Sequence, residues 1–422
     1  MVMDKNRFAR INEYFPFVVR WSLIIITISC IVGSISAFFL HALEYVSEVR
    51  ENHIQLLYFL PIAGFIIGWF YHHFGSNVNK GNNLLLEEIH SPSSVIPIRM
   101  TPFVLVGTLI THLFGGSAGR EGTAVQMGGS IAHQVVRIIP MTRKEQESLV
   151  ILGMSAGFSA VFGTPVAAAI FSIEVILVGS YRWKLLLPSL ITAWISHEVC
   201  LAWKVTHSLF PKVSFDWNFT SLVSIFLLAI VSGYVAKSFI HLLHFFSSFG
   251  KRWISYPPIR PIFGGFLLVG FFVFGLSLDY FGLGVKTIQN AFVESLPKDS
   301  FVWKLLLTTI TIGFGFKGGE VTPLFFIGAT LGNLFATLDP IHLALFTSVG
   351  FISVFSGATN TPLACAIMGM ELFGYECGIL YLVVTQIAFI ISGHTSIYSS
   401  QIIAKQKLFH SPKDVGKRIS DL

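Results

Sequence analysis

The run from Gly115 to Gly129, Gly-Gly-Ser-Ala-Gly-Arg-Glu-Gly-Thr-Ala-Val-Gln-Met-Gly-Gly, sets an arginine, a glutamate and six glycines inside an otherwise apolar chain. Of the 422 residues 53% are hydrophobic and only 12% charged, with 41 phenylalanines and a mean hydropathy of +0.71. That balance excludes an ordinary soluble domain and implies a polytopic membrane protein. At membrane depth a carboxylate such as Glu121 costs roughly 3 kcal/mol or more unless it faces a cavity or a partner, so it marks a pathway. The glycines let the backbone leave helical geometry and aim unpaired N–H groups into a cavity, which makes the following helix start an anion site. The combination implies anion transport.

Long apolar stretches recur at Trp21 to Leu43, Ile54 to Tyr71, Trp183 to Trp203, Leu222 to Phe246, Pro261 to Phe281, Phe301 to Phe316 and Ile379 to Ile391. Other apolar pieces are shorter and broken by Gly or Pro, and such pieces survive in a membrane only when buried in protein or lining an aqueous cavity. An all-α fold of many short, tilted and broken helices is expected. Both ends are basic, with Lys5, Arg7 and Arg10 at the start and Lys405, Lys407, Lys413, Lys417 and Arg418 at the finish. The positive-inside tendency then places both termini in the cytoplasm, with an even number of crossings. The first apolar run is long and lacks a small-residue cleavage motif, so it reads as a retained helix. The net charge of +6 fits these termini and implies no nucleic-acid partner. Cys30, Cys200, Cys365 and Cys377 are scattered, without CxxC or nearby histidines, and read as packing residues rather than metal or disulfide sites.

The chain repeats itself. Gly157-Phe158-Ser159-Ala160-Val161-Phe162 is echoed by Gly350-Phe351-Ile352-Ser353-Val354-Phe355, and Thr164-Pro165 by Thr361-Pro362. Glu174 and Glu371 each follow those prolines by nine residues, and an offset of 200 lays Gly119, Thr123 and Gly128 over Gly319, Pro323 and Gly328. Two halves are expected, about 21–205 and 219–400, in a single transmembrane domain. Transporters built this way bind substrate near the midplane, where broken helices from both halves bring their starts together. The loops at Gly119 to Gly122 and Gly318 to Thr322 are the candidates, Pro323 suiting a first-turn position. Neither loop has GxGxxG or Walker spacing.

On these residues the sequence resembles the CLC family of chloride channels and anion/proton antiporters over nearly its whole length. Gly119-Arg120-Glu121-Gly122 matches the family's GREGP, ending here in Thr123; Gly318-Gly319-Glu320-Val321-Thr322-Pro323 matches its GGxFxP; Phe325-Phe326-Ile327-Gly328-Ala329 and the late Tyr398 follow in order. The resemblance implies about eighteen intramembrane helices, an inverted repeat and a homodimer with one pathway per subunit. Beyond Tyr398 only a short basic tail remains, so no nucleotide-binding CBS pair is expected.

Three departures narrow the resemblance. Asn82, in Gly81-Asn82-Asn83-Leu84-Leu85, stands where chloride members carry the serine of GSGIP; Glu320 and Val321 alter GGxFxP; and Val175 stands where proton-coupled chloride exchangers carry an inward-facing glutamate. Together they look like the fluoride/proton antiporter clade. Fluoride is small and holds water tightly, so only close, strong donors offset its dehydration. Asn82 offers an amide, Tyr398 a phenol, and the backbone around Gly122, Val321 and Thr322 lies at positive helix ends. No cofactor or metal is implied.

By the resemblance Glu121 is the gating glutamate: ionised, its carboxylate competes with the anion; protonated, it swings away and carries a proton. Read structurally, it would pair with Arg120, and Arg120 itself is expected to bond loop carbonyls or a carboxylate. Glu320 reads as a proton relay in place of the carboxylate absent at Val175, or as a sensor of Glu121; structurally it would cap the helix near Pro323 or pair with Lys317. Glu174 and Glu371 are expected to bond helix ends or loops, and His112 to hydrogen-bond in helix packing. Phe316 and Phe325 lie near the second loop, while Ala167 to Ala169, Gly153 and Gly157 permit close helix contacts. The leading reading is export of fluoride in exchange for protons. A chloride/proton antiporter or chloride channel is the rival within the family. An intramembrane enzyme lacks HExxH, GxSxG or a nucleophile and base at recognisable spacing, and a scaffold would not need charged, glycine-broken loops at membrane depth. Compact length and the resemblance point to a prokaryotic inner membrane.

Overall fold

The computed structural model describes residues 5–214, 218–408 and 410–422, and side chains from residue 16 onward, so those of Lys5, Arg7 and Arg10 lie outside the described residues. The first half builds α1 (Lys5–Asn52), α2 (Leu60–Phe74), α3 (Asn82–His90), α4 (Met100–Leu113), α5 (Glu121–His133), α6 (Arg143–Phe162), α7 (Pro165–Glu174) and α8 (Leu186–Ala202). The second half repeats the order as α9 (Phe219–Trp253), α10 (Arg260–Val273), α11 (Val285–Asn290), α12 (Ser300–Gly313), α13 (Val321–Phe335), α14 (Leu343–Thr359), α15 (Pro362–Phe373) and α16 (Gly378–Ser392). Sixteen α-helices thus stand among the described residues, against about eighteen expected. The basic leader and first span fuse into the 48-residue α1, and the segment after Tyr398 forms only a short strand and 3-10 turns.

Among the described residues, six stretches are long and apolar enough to cross a membrane. Two of them, Val321–Leu338 and Pro340–Thr359, are absent from the apolar runs expected above, because their glycines and prolines interrupt the sequence pattern without interrupting the helices. Conversely, the run from Pro261 to Phe281 is α-helical only to Val273, where the chain turns through Gly275 into a single 3-10 turn at Leu278–Tyr280.

The halves meet at their broken loops. Gly119 donates its N–H to the Gly319 carbonyl at 2.6 Å and Gly319 returns the bond at 2.8 Å, an antiparallel bridge across the two repeats. The 200-residue offset of those glycines is therefore a spatial pairing.

The repeat of α6 in α14 runs in a different register from the motif match. A Cβ on Gly128 would strike the Gly153 carbonyl, and one on Gly328 the Gly350 carbonyl. Gly153 is thus the partner of Gly350, at an offset of 197, the offset that also relates Gly163 to Asn360 and Glu174 to Glu371. Gly163 (φ 81°) and Asn360 (φ 61°) end α6 and α14 in the left-handed region, and Pro165 and Pro362 then start α7 and α15. The match of Gly157 to Gly350 is four residues away from this, about one helical turn.

Glu174 accepts from Leu363 N at 3.0 Å and Ala364 N at 2.7 Å, and Glu371 accepts from Val166 N at 3.0 Å and Ala167 N at 2.7 Å. Each carboxylate caps a helix of the opposite half, the helix-end bonding expected of the pair.

Ion pairs and strands sort the two faces. On one face Thr142 and Glu145 form a capping box at the start of α6, and Arg20 of α1 reaches Glu145 at 2.9 Å. Here too β1 (Leu177–Val178) pairs in parallel with β2 (Ile402–Ile403) of the C-terminal tail. The buried ammonium of Lys407 locks that tail, donating to the Phe389 and Gly393 carbonyls at 2.6 Å and to Asn360 Oδ1 at 2.5 Å. The far end of α1 borders a cavity of about 660 Å³ on the other face.

Candidate functional site

Three helix starts converge on one point inside the protein. α3 begins at Asn82, α5 at Glu121 and α13 at Val321, each presenting first-turn N–H groups that lack the i−4 carbonyl of a helix interior, and the positive end of its dipole. The Gly119–Gly319 bridge holds the last two together. No cation is needed to make this point attractive to an anion.

Glu121 occupies it. Its side chain is 1% exposed, and Oε2 accepts from the Thr322 amide at 3.1 Å, the Thr322 hydroxyl at 2.5 Å and the Arg120 amide at 3.3 Å. One carboxylate oxygen thus bridges the starts of α5 and α13 in the position an anion would take. The other oxygen, Oε1, is buried without a hydrogen-bond partner and lies 3.6 Å from Arg120 Nε. Arg120 makes no side-chain hydrogen bond to a loop carbonyl among the described residues; its buried Nε instead forms an ion pair with the Glu121 carboxylate, the carboxylate partner expected of it, at a distance too long for a hydrogen bond.

Beside Glu121 lie Asn82, Gly122 and Glu320. A Cβ on Gly122 would sit 3.2 Å from Asn82 Nδ2 and 3.7 Å from Glu320 Oε2, so the amide nitrogen and the carboxylate both border the bare Cα of Gly122. Asn82 Oδ1 is buried without a partner. Neither structural role foreseen for Glu320 is realised: it makes no side-chain cap at α13, and Lys317 instead donates to Asn79 Oδ1 at 2.6 Å and lies 4.2 Å over the Tyr71 ring. Tyr398, 5% exposed, packs edge-on against Phe171 and interacts electrostatically with both Glu320 and Glu121. Asn82, Glu121, Gly122, Glu320, Val321, Thr322 and Tyr398, five of them from the two loops, lie in one neighbourhood around the start of α5 and α13.

Sequence reasoning missed the residues that hold this arrangement. Asn83 Oδ1 accepts from Ser400 N at 3.0 Å, and the Ser400 hydroxyl reaches Glu87 at 3.3 Å, so the start of α3 and the Tyr398 segment are tied to each other. The doubled Asn82-Asn83 was the available signal. Thr123 and Thr108 share a buried hydrogen bond of 2.8 Å that fastens α5 to α4. His112 is fully buried, with the Gly119 backbone as its polar neighbour, the packing position expected of it. Phe325 stacks on Phe351 with ring centroids 4.1 Å apart and, with Phe162 and Phe210, walls one side of Glu121; Phe316 is buried away from that wall, against Gly64 of α2.

Comparison with known proteins places this geometry in context. The family described as voltage gated chloride channel matches residues 63–393. A chloride/fluoride channel protein of Pseudomonas syringae pv. tomato is 39% identical, over all of this chain and 94% of the relative. An H(+)/Cl(-) exchange transporter of Vibrio cholerae is 23% identical over 96% of this chain and 92% of its own length. The crystal structure of a CLC-type fluoride/proton antiporter superposes with a TM-score of 0.87 at 35% identity, covering 90% of this chain and 97% of the other. A slow cyanobacterial Cl-/H+ antiporter superposes at 0.77 and 20% identity, over 88% and 94%, which speaks to the fold alone.

Proposed function

The chain belongs to the voltage-gated chloride channel (CLC) family of integral membrane proteins, and from that premise we propose that it exports fluoride in exchange for protons. The observation that carries the reading is the Glu121 carboxylate held by the amide and hydroxyl of Thr322 at the start of α13. An anion arriving at that helix start must displace the carboxylate, and a protonated Glu121 gives up the charge that keeps it there. Anion and proton therefore alternate at one place.

Asn82, Gly122, Val321, Thr322 and Tyr398 form the anion path below the gate, and Glu320 passes protons between Glu121 and the inner solution. Glu320 suits this because it has no ion-pair or capping duty among the described residues. Fluoride is favoured over chloride by the amide of Asn82 and by two relatives: the 39% identical chloride/fluoride channel protein and the 35% identical fluoride/proton antiporter. The protein works as a homodimer in a prokaryotic inner membrane, with both termini in the cytoplasm and repeats of about 21–205 and 219–400 in one domain. The vestibule bordered by the far end of α1 then opens outward.

The test is efflux from proteoliposomes loaded with equal fluoride and chloride, recording both anions and external pH for the native protein and Glu121→Gln. Fluoride efflux with proton uptake, lost or uncoupled in the variant, is the expected result. Faster chloride efflux from the native protein would move it to the chloride branch.

A further inference from the structure

The segment that carries Tyr398 is fastened by a buried lysine and a histidine that the transport reading leaves unused. Lys407 is 3% exposed, and its ammonium donates to Asn360 Oδ1 at 2.5 Å, to the Phe389 and Gly393 carbonyls at 2.6 Å and to the Ser392 hydroxyl at 3.2 Å. Among the described residues no carboxylate pairs with it, and the carbonyls at the negative end of α16 stand in that place. The backbone N–H of Lys407 donates to His394 Nε2 at 3.2 Å, while His394 Nδ1 lies 3.2 Å from Asp414 Oδ2.

Those two bonds fix the protonation state of His394. A backbone N–H only donates, so Nε2 is the bare acceptor and Nδ1 carries the single proton of the ring toward the carboxylate. The docked tail thus requires a neutral imidazole. A second proton lands on Nε2, abolishes the bond from Lys407 and sets a cation against the Lys407 ammonium and against His410, whose ring centroid is 4.6 Å away. Among the described residues Asp414 is the one acid facing the ring, and it also holds Lys417 at 3.6 Å. His244, on the packed α9, faces the Ser396 backbone instead. Burial, more than any other influence, holds His394 below the ordinary histidine value.

A run of hydrogen bonds joins this latch to Tyr398. Asn360, which accepts from Lys407, donates through Nδ2 to Gln401 Oε1 at 3.0 Å. Gln401 donates in turn to the Val175 and Thr359 carbonyls at 2.7 and 2.8 Å, and its N–H closes a turn on the Tyr398 carbonyl at 3.1 Å. We propose that His394 and Lys407 are positioning residues for Tyr398, forming a latch on the face that carries both termini, and that acid on that face releases the latch and slows exchange. Docking weakens as the pH falls below the undocked histidine value of about 6.5 and goes on weakening down to the lower docked value, by up to about tenfold per pH unit. With the tail loosened, Tyr398 loses the turn that aims it. An exchanger that admits protons is thereby throttled once the cytoplasm is acid.

The latch rests on Tyr398 as an anion ligand, part of the transport reading above, and its test separates the two. Exchange is measured in proteoliposomes held at one pH on both sides, from about 7.5 down to about 5.5, for the native protein and for His394→Gln, whose amide does not titrate. The chemistry of Glu121 is common to both, so the ratio of native to variant rate isolates the latch. The expected result is a ratio that falls about threefold or more in acid, with faster hydrogen exchange over residues 402–408, corrected for its intrinsic pH dependence, in the native protein alone. Parallel profiles overturn the proposal, as does a tail that loosens while the ratio stays flat. Should His394→Gln fail to stay monodisperse, Asp414→Asn takes its place: without the acid a protonated ring is less tolerable when docked, so the rate falls more steeply in acid than the native one, and an equal slope overturns the latch. A native protein that moves chloride and not fluoride at neutral pH, where the latch is closed, defeats the fluoride reading alone, and the same ratio is then read with chloride.

Discussion

The carboxylates of Glu174 and Glu371 cap each other's partner helices with matching geometry, 3.0 and 2.7 Å to the starts of α15 and α7 respectively. Each half of the protein is completed by an acid from the other. Replacing either by glutamine removes a charge-assisted cap worth about 1–2 kcal/mol. Glu174→Gln and Glu371→Gln should therefore lower the thermal midpoint in detergent by similar amounts and leave transport per folded protein near native. Lost transport at unchanged stability would make them pathway residues instead.

Thr322→Val deletes the 2.5 Å hydroxyl bond to the gate and keeps the amide bond. A hydrogen bond to a charged group contributes about 1.5–3 kcal/mol, so the carboxylate should leave its seat roughly ten times more often or more. The expected outcome is faster anion flux with fewer protons per anion, read by fluoride electrode and pH together.

Gly122→Ala places a methyl 3.2 Å from Asn82 Nδ2 and 3.1 Å from Gly319 Cα. The neighbour on one side is backbone and cannot yield cheaply. Flux should fall about tenfold or more while the protein stays monodisperse on size exclusion.

Glu320→Gln keeps the shape of the side chain and removes its capacity to carry a proton. Turnover or proton coupling should drop by about tenfold or more. Unchanged proton-coupled exchange in this variant would sink the relay role.

Asp339, in the turn between α13 and α14, accepts from Ser221 at 2.5 Å and His342 at 2.7 Å. Those hydrogen bonds, that of Ser221 foremost, hold its carboxyl below the ordinary carboxylate value. A group depressed on folding stabilises the protein above its unfolded value and loses that contribution as the pH falls through the folded one. The thermal midpoint of Asp339→Asn should accordingly lie below the native one at neutral pH and meet it in acid.

The convergence of Glu121, Thr322 and Asn82 was legible because broken helices announce themselves through glycine, and glycine spacing survives in sequence. The fine register of the repeat was not. Glycine and phenylalanine recur along α6 and α14 at intervals of one turn, so Gly157 matches Gly350 in letters while Gly153 meets its role in space. Lys317 shows a different limit: a long, flexible cation next to Glu320 in sequence finds Asn79 and Tyr71 instead. Arg120 was expected to meet a loop carbonyl or a carboxylate, and it is the neighbouring Glu121 carboxylate that it faces, as an ion pair rather than a hydrogen bond. Helix lengths suffered where Gly and Pro broke the apolar pattern of α13 and α14 without ending the helices.

The paired bonds between Gly119 and Gly319 stitch the two halves, backbone to backbone, at the depth where ions cross. A seam of that kind leaves no hinge. Alternation between the two sides of the membrane then falls to side chains a few ångströms long, so labels fixed to the two halves should report one unchanging separation through the whole transport cycle, and an inherited change at one glycine becomes tolerable only when its counterpart changes with it.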